Sequence, residues 1–374
     1  MERREFLKAG AAGAAAGLAV TPALAQAPAS PAVVSAMPEL KWRLSSTFPK
    51  SLDTLYGASE TLARIVSEST DGRFQIQPFA AGEIVGMPQA FDAVSNGTVE
   101  MIHGPGYYYV GREPALALLA DIPFMMNVRQ RNAWMHIGGG QDLINEYVAK
   151  FGLFTIPGGN TGTQMGGWFR KEIKTVQDLQ GLKFRIAGLA GQVMAKLGAV
   201  PTQIPGGDIY PALERGTIDA AEWVGPYDDE KLGFAKVAPF YYYPGFWEGA
   251  PNIHFWFGKE RYENLPKAYK QILQSAANYA AMELTAKYDA KNPAALRRLV
   301  ASGAQLRPFS QEIMDAAFKA SNEIYDDLSA KSPDFKKLYE SLRAFRNEEY
   351  LWFQVAEYSF DNYMIRSRVA SGSR

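Results

Sequence analysis

Apolar and polar positions alternate over Lys41-Trp42-Arg43-Leu44-Ser45-Ser46, which predicts a short strand ended by Phe48-Pro49. Ser51-Leu52-Asp53 offers capping side chains for a helix running toward Glu68, and Asp71-Gly72 stops it before a second strand, Phe74-Gln75-Ile76-Gln77. The pattern recurs at once. A helix over about 88–95 ends at Asn96-Gly97 and feeds a strand over 98–103. Farther on, 162–169, 183–186, 219–224 and 253–257 read as strands, with a helix over 188–197 between two of them. Strands alternating with helices predict an α/β fold.

From about residue 266 the period lengthens to that of amphipathic helices, over 268–289, 293–301, 310–328 and 333–364. The last carries Phe335, Leu338, Leu342, Phe345, Tyr350, Leu351, Phe353, Val355, Tyr358 and Tyr363, enough to pack across other elements or to reach a second subunit. A weak internal echo, Phe91 to Glu100 against Tyr210 to Asp219, shares a final helical turn, a glycine stop, a Thr-β-branched pair and an acid. It gives modest support to duplicated lobes.

A chain of 374 residues with 47% hydrophobic composition has room for two or three folding units. Basic and acidic residues balance at 39 each, so no positive field exists to hold nucleic acid. The absence of cysteine excludes disulfides, iron–sulfur clusters, thiolate zinc sites and a cysteine nucleophile, and His103, His136 and His254 have no ligand-like spacing. At the start, Arg3-Arg4-Glu5-Phe6-Leu7-Lys8 precedes a short Ala/Gly-rich apolar stretch and Ala23-Leu24-Ala25. Residues 1–25 therefore read as a twin-arginine export signal, cleaved after Ala25 with Ala27 as second choice, and 26–39 as a flexible lead.

Three segments mix charge, amide and aromatic groups near predicted strand ends, where ligand sites form in α/β sheets. Asn160-Thr161-Gly162-Thr163-Gln164 permits close backbone approach and offers an amide oxygen, although a plain glycine-rich turn explains it equally. Arg185 alternates with Phe184 and Ile186 before Gly188, so its guanidinium could present two parallel donors to a carboxylate; a surface arginine is the competing outcome. Glu222-Trp223 and Glu248 flank a stretch rich in aromatics. Two carboxylates could serve as a glycosidase acid and base, or could neutralise a hard cation. No nucleophile elbow, HExxH, EF-hand loop, phosphate-binding loop or kinase set accompanies them.

Taken together, Trp42 to Thr54, Phe79 to Val85, Pro157 to Gly162, Met165 to Ile173, Asp208 to Glu214 and, most specifically, Glu222-Trp223-Val224-Gly225-Pro226-Tyr227-Asp228-Asp229-Glu230-Lys231-Leu232-Gly233-Phe234 resemble a known family. That family is the extracytoplasmic solute receptors of tripartite ATP-independent periplasmic (TRAP) transporters, in the branch that binds 2-oxo acids such as pyruvate. The resemblance spans essentially the whole chain. It implies a two-lobed α/β periplasmic solute-binding-protein fold with an interlobe cleft and long C-terminal helices: 40–158 mainly lobe one, 159–257 mainly lobe two, and 258–374 helical segments packing across both.

It further implies a binding function without catalysis. Arg185 matches the carboxylate-clamping arginine, and Gln164, Glu222, the Trp223 carbonyl and Glu248 match positions holding a sodium ion, with calcium as the alternative. Asn160 and Gln164 fall on the ligand side, and Tyr108 and Tyr109 resemble lobe-one residues that face it. The partners implied are a small carboxylate, the TRAP membrane permease subunits in the periplasm, and a second copy joined through the C-terminal helix. Two alternatives stay open. One is a receptor for 2-hydroxy acids, sugar acids or C4-dicarboxylates, the dicarboxylates alone needing a further cation such as Arg43, Arg170 or Lys171; the other is a secreted carbohydrate-active hydrolase using Glu222 and Glu248.

Overall fold

The computed structural model describes residues 37–370. The export signal, and residues 26–36 of the lead, lie outside the described residues. From Pro38 onward the chain forms one compact unit, built on two sheets. Strand β1 (Leu40–Ser46) leads into helix α1 (Leu55–Ser69), and β2 (Phe74–Phe79) into α2 (Ala90–Ser95) and β3 (Met101–Gly104). Three short helices follow, α3 (Ala117–Ala120), α4 (Val128–His136) and α5 (Gly140–Val148), before β4 (Leu153–Asn160). The chain then crosses to β5 (Gly167–Phe169), β6 (Lys183–Arg185), α6 (Gly188–Lys196), β7 (Val200–Thr202), α7 (Gly206–Glu214), β8 (Ala220–Ala221), α8 (Pro226–Leu232) and β9 (Phe240–Tyr243). It returns in β10 (Asn252–Gly258), followed by α9 (Lys259–Glu263), the long α10 (Lys267–Ala301), β11 (Gln305–Pro308), α11 (Gln311–Lys331), α12 (Pro333–Val355) and α13 (Glu357–Ala370).

Sheet one has the order β2-β1-β3-β10-β4 and sheet two the order β11-β9-β5-β8-β6-β7. The α/β class and the two-lobed architecture expected from the sequence are what the chain adopts. Two segments cross between the sheets side by side. Asn252 of β10 pairs with Asn160 of β4, so 161–166 leaves sheet one beside the point where 244–251 re-enters it. The Asn160 amide locks this junction, donating to Asn252 Oδ1 at 2.6 Å and Ala250 O at 3.0 Å while its own oxygen accepts the Gly162 N–H at 2.9 Å. A crossing segment cannot also be a ladder. Hence the strand expected over 162–169 is regular only at 167–169.

Other departures have equally local causes. Residues 98–100 form a turn, and the strand starts at Met101. The helices expected over 268–289 and 293–301 are one, with Pro293 inside it. The carbonyl deprived of a partner belongs to exposed Asp289, where water can supply the missing bond. The helix expected over 333–364 breaks at Ala356 into α12 and α13. Strands β7, β9 and β11, each three or four residues long, are not anticipated from the sequence.

Helix α10 touches both lobes, lying on α1 and β4 on one side and on α8 on the other. Buried Asp228 at the start of α8 marks where they meet, accepting from Thr54 Oγ1 and from Tyr288 OH of α10, each at 2.7 Å. Next to it, Asp229 accepts from Tyr241 OH at 2.6 Å and Trp168 Nε1 at 2.9 Å, fixing β5 and β9 against α8. On the rim, Asp53 takes Tyr227 OH and Lys291 Nζ, both at 3.1 Å, together with Lys231. Against its own partial burial, these lysines pull Asp53 down to about 2.

Burial pushes Asp228 up to about 6 and Asp229 up to about 7, in spite of their donors. Since an unfolded aspartate titrates near ~3.9, the native chain binds more protons between the two values. The stability these groups contribute is complete below about pH 4 and is lost as pH rises through the folded values. Asp53 has the opposite sign, but it acts below this window. Urea unfolding followed from about pH 4 to 7.5 should show stability falling less steeply for Asp229→Asn than for the parent, and two parallel curves would contradict this assignment.

Candidate functional site

Arg185 ends β6, and Glu222 follows β8, its parallel neighbour, so the pair faces across one step of the sheet with the Glu222 N–H bonded to the Arg185 carbonyl at 3.1 Å. Arg185 Nη1 donates to Glu222 Oε1 at 2.5 Å and to the Glu222 carbonyl at 2.8 Å, and Nε donates to Ile204 O at 3.2 Å. The Glu222 carboxylate also accepts the Ala187 N–H at 3.1 Å. The guanidinium lies over the Trp223 indole, 5.1 Å from its centroid. Both ionic side chains are 2% exposed.

Gln164 and Glu248 ride on the two crossing segments. Gln164 N donates to Glu248 O at 3.0 Å, and Gly245 N donates to Gln164 O at 2.9 Å. Residue 245 must be glycine, because a Cβ there would stand 2.6 Å from the Met165 carbonyl and 2.7 Å from that of Gln164. The Gln164 side chain donates to Thr161 Oγ1 at 3.2 Å, but its buried Oε1 has no hydrogen-bond partner. An orphaned buried carbonyl oxygen is costly unless a donor or a cation completes it. Tyr107 and Tyr108 enter from lobe one on a tight turn, and Tyr107 OH reaches Glu248 Oε2 at 3.4 Å.

Arg185, Glu222, Trp223, Gln164, Tyr107 and Tyr108, together with Phe48, Leu55, Thr161, Val224 and Ile253, line a small cavity. Its electrostatics are unbalanced. Desolvation raises Glu222, opposed by Arg185 and the Ala187 N–H. Desolvation raises Glu248 much further, reinforced by the charges of Glu222 and Asp121. Desolvation likewise raises Tyr107 and Tyr108. One guanidinium thus stands among two carboxylates with little water to screen them, a setting that favours one more positive charge.

Of the residues singled out in the sequence, the structure brings Arg185, Gln164, Glu222, Trp223 and Tyr108 to the cavity wall and sets Glu248 behind Tyr107. It does not bring Tyr109 or Asn160 there. Tyr109 turns into the core of lobe one between Phe91 and Trp256, because three consecutive residues on a tight turn cannot share one face. The Asn160 amide is spent on the crossing junction. Tyr107, Phe48, Leu55 and Ile253 escaped the sequence reading as site residues, since they come from separate segments with ordinary core patterning, while Thr161 and Val224 lie in segments it singled out without giving them a role. Arg43 pairs with Glu100, and Arg170 and Lys171 are exposed, so none of the three lines the cavity. Among the described residues, no three His, Asp or Glu side chains gather as a metal cluster.

The model of the bacterial extracellular solute-binding protein family 7 matches residues 45–332. A monocarboxylate 2-oxoacid-binding periplasmic protein of Nostoc sp. is 49% identical over 336 residues, covering 90% of this chain and 92% of the relative. A TRAP transporter solute-binding protein of Bordetella bronchiseptica, solved as a mixed-occupancy dimer with calcium and picolinate in one site, superposes with a TM-score of 0.88 at 49% identity, covering 89% of this chain and 99% of that one. A TRAP periplasmic solute-binding protein of Pseudoalteromonas atlantica with bound sodium and pyruvate gives 0.84 at 37% identity, covering 87% and 99%.

Replacing Arg185 alone would leave Glu222 buried without its counter-charge, at a cost of about 3–5 kcal/mol. In urea unfolding of the ligand-free protein, Arg185→Met should lose stability on this scale, and the double change Arg185→Met with Glu222→Gln should recover most of it. A double variant as unstable as the single one would mean that the loss does not come from the stranded carboxylate.

Proposed function

Because the chain belongs to the family 7 bacterial extracellular solute-binding proteins, we propose that it captures a short 2-oxo monocarboxylate such as pyruvate, with a bridging sodium or calcium ion, and hands it to a TRAP membrane permease. The observation that carries this reading is the desolvated set Arg185, Glu222, Glu248 and the unpartnered Gln164 Oε1. Arg185 offsets one glutamate and an organic anion adds a further negative charge, so a carboxylate enters this dry site favourably only with a cation. Sodium cancels half of that excess and calcium all of it. Oxygen atoms of Gln164, Glu222, Glu248 and the Trp223 carbonyl are the hard donors such an ion takes.

In this reading the cation draws Glu222 away from Arg185, whose donors then turn to the ligand carboxylate in the paired geometry a guanidinium favours. Pyruvate and picolinate, the ligands of the similar structures, share a carboxylate with a second donor atom on the adjoining carbon. One ion can therefore be held by both atoms, which supports selection of 2-oxo acids. A dicarboxylate would bring a second anionic end to a wall with no second cation. Phe48, Leu55, Val224 and Ile253 suit a short apolar tail. Tyr108 closes over the ligand from lobe one, with Tyr107 behind it.

The lobe division at 40–158 and 159–257, with the helical remainder across both, and export of the chain to the periplasm by the twin-arginine route, belong to the same proposal. So does pairing through the C-terminal helix. Leu351, Trp352, Val355, Tyr358, Phe360, Tyr363 and Ile365 at the end of α12 and along α13 are each 60–70% exposed, an apolar run that a second copy of this helix would cover.

Calorimetry on metal-stripped protein should show little heat with pyruvate, and a saturable signal once sodium or calcium is added. Arg185→Lys should weaken that binding by at least about 30-fold; full affinity without metal, or in the lysine variant, would sink the reading. For the assembly, light scattering should give a dimer mass for the parent and a monomer mass for Tyr358→Glu with Ile365→Glu, with pyruvate affinity retained. A parent that is monomeric at micromolar concentration would rule the dimer out.

A further inference from the structure

Behind the two crossing segments, outside the cavity, stands a buried carboxylate from lobe one. Asp121 follows α3 and is 4% exposed. Its Oδ2 accepts the Ala250 N–H at 2.7 Å and its Oδ1 the Ile122 N–H at 2.9 Å, and the Gly249 N–H also stabilises its charge. It therefore grips the peptides that immediately follow Glu248. Through the bonds Gln164 N to Glu248 O and Gly245 N to Gln164 O, that grip extends to the backbone of Gln164 and Glu248, two of the residues assigned to the cation.

The same lobe-one segment clasps the loop twice more. Phe124 N donates to Phe246 O at 2.8 Å, and the two rings stack 4.9 Å apart at 15°. The Met126 carbonyl lies only 2.5 Å from where a Cβ on Gly249 would sit, so the turn is pressed against it. Buried Arg131 is the charge that offsets Asp121, but its Nη2 is committed to the carbonyls of Leu118 and Leu119 at 2.6 and 2.7 Å. Arg131 offsets part of the Asp121 charge, and Asp121 still helps to raise Glu248, after desolvation and the charge of Glu222.

We propose that Asp121 is a positioning residue for the cation, fixing the peptides after Glu248 from lobe one and setting the negative potential that decides between a divalent and a monovalent ion. The inference rests on the cation reading above. A doubly charged ion gains twice as much as a singly charged one from a given nearby charge, so loss of that charge penalises calcium more than sodium.

Sodium and calcium are titrated calorimetrically, in saturating pyruvate, into metal-stripped parent and into Asp121→Asn, which keeps the shape and one acceptor oxygen. The calcium-to-sodium affinity ratio is expected to fall roughly threefold or more in the variant. An unchanged ratio overturns the proposal, including the case where both ions weaken equally, as a merely structural defect would produce. If Asp121→Asn does not fold, Arg131→Gln should move the ratio the other way, and an unchanged or lowered ratio there overturns it as well. Should the parent bind pyruvate without any cation, the cation reading itself fails, a result separate from any effect of Asp121.

Discussion

Arg185 and Glu222 sit 2.5 Å apart with almost no exposure, and such a pair survives only where its surroundings repay the loss of water. The repayment here is geometric. The Glu222 carbonyl, the Ala187 N–H and the Ile204 carbonyl occupy most of the directions in which the two groups can bond, and Trp223 covers the guanidinium face. Glu248 then adds a carboxylate that has no cation of its own, which leaves the cavity poised to take up positive charge.

That imbalance is placed where the chain can exploit it. Of the residues assigned to the cation, Gln164 and Glu248 lie on the crossing segments and Glu222 and Trp223 follow β8 beside the guanidinium on lobe two, while the tyrosines stand on lobe one. In the proposed reading a ligand and ion held among them bridge three parts of the chain, through contacts that strengthen as water leaves. The Asp228 and Asp53 networks bind α8 to the residues just before α1 and to α10, through side chains that do not line the cavity.

Some of this was legible along the chain. The alternation at Lys41 to Ser46 and at Phe74 to Gln77, and the glycine stops after α1 and α2, follow from short-range sterics and hence appear as strands and helix ends in the fold. Arg185 stood out because a charged residue between Phe184 and Ile186, just before a glycine, fits a strand end. Gln164, Glu222 and Glu248 carried weight chiefly through resemblance to a family, since no spacing rule links them. Pro293 misled as a helix boundary, because its cost depends on whether the freed carbonyl meets water. Tyr109 misled because adjacent tyrosines differ only in the direction in which a tight turn points them.

The sequence by itself determined the class of fold, the order of most elements and the family to which the chain belongs, since each rests on local preference or on many residues read together. Only the tertiary structure decided which side chains share the cavity, that Asn160 and Tyr109 serve the scaffold, and that Asp121 stands behind the loop after Glu248. These depend on the antiparallel meeting of β4 and β10 and on burial, which turns ordinary charges into strongly interacting ones. Neither contact between distant segments nor exclusion of water is a property of any short stretch of chain.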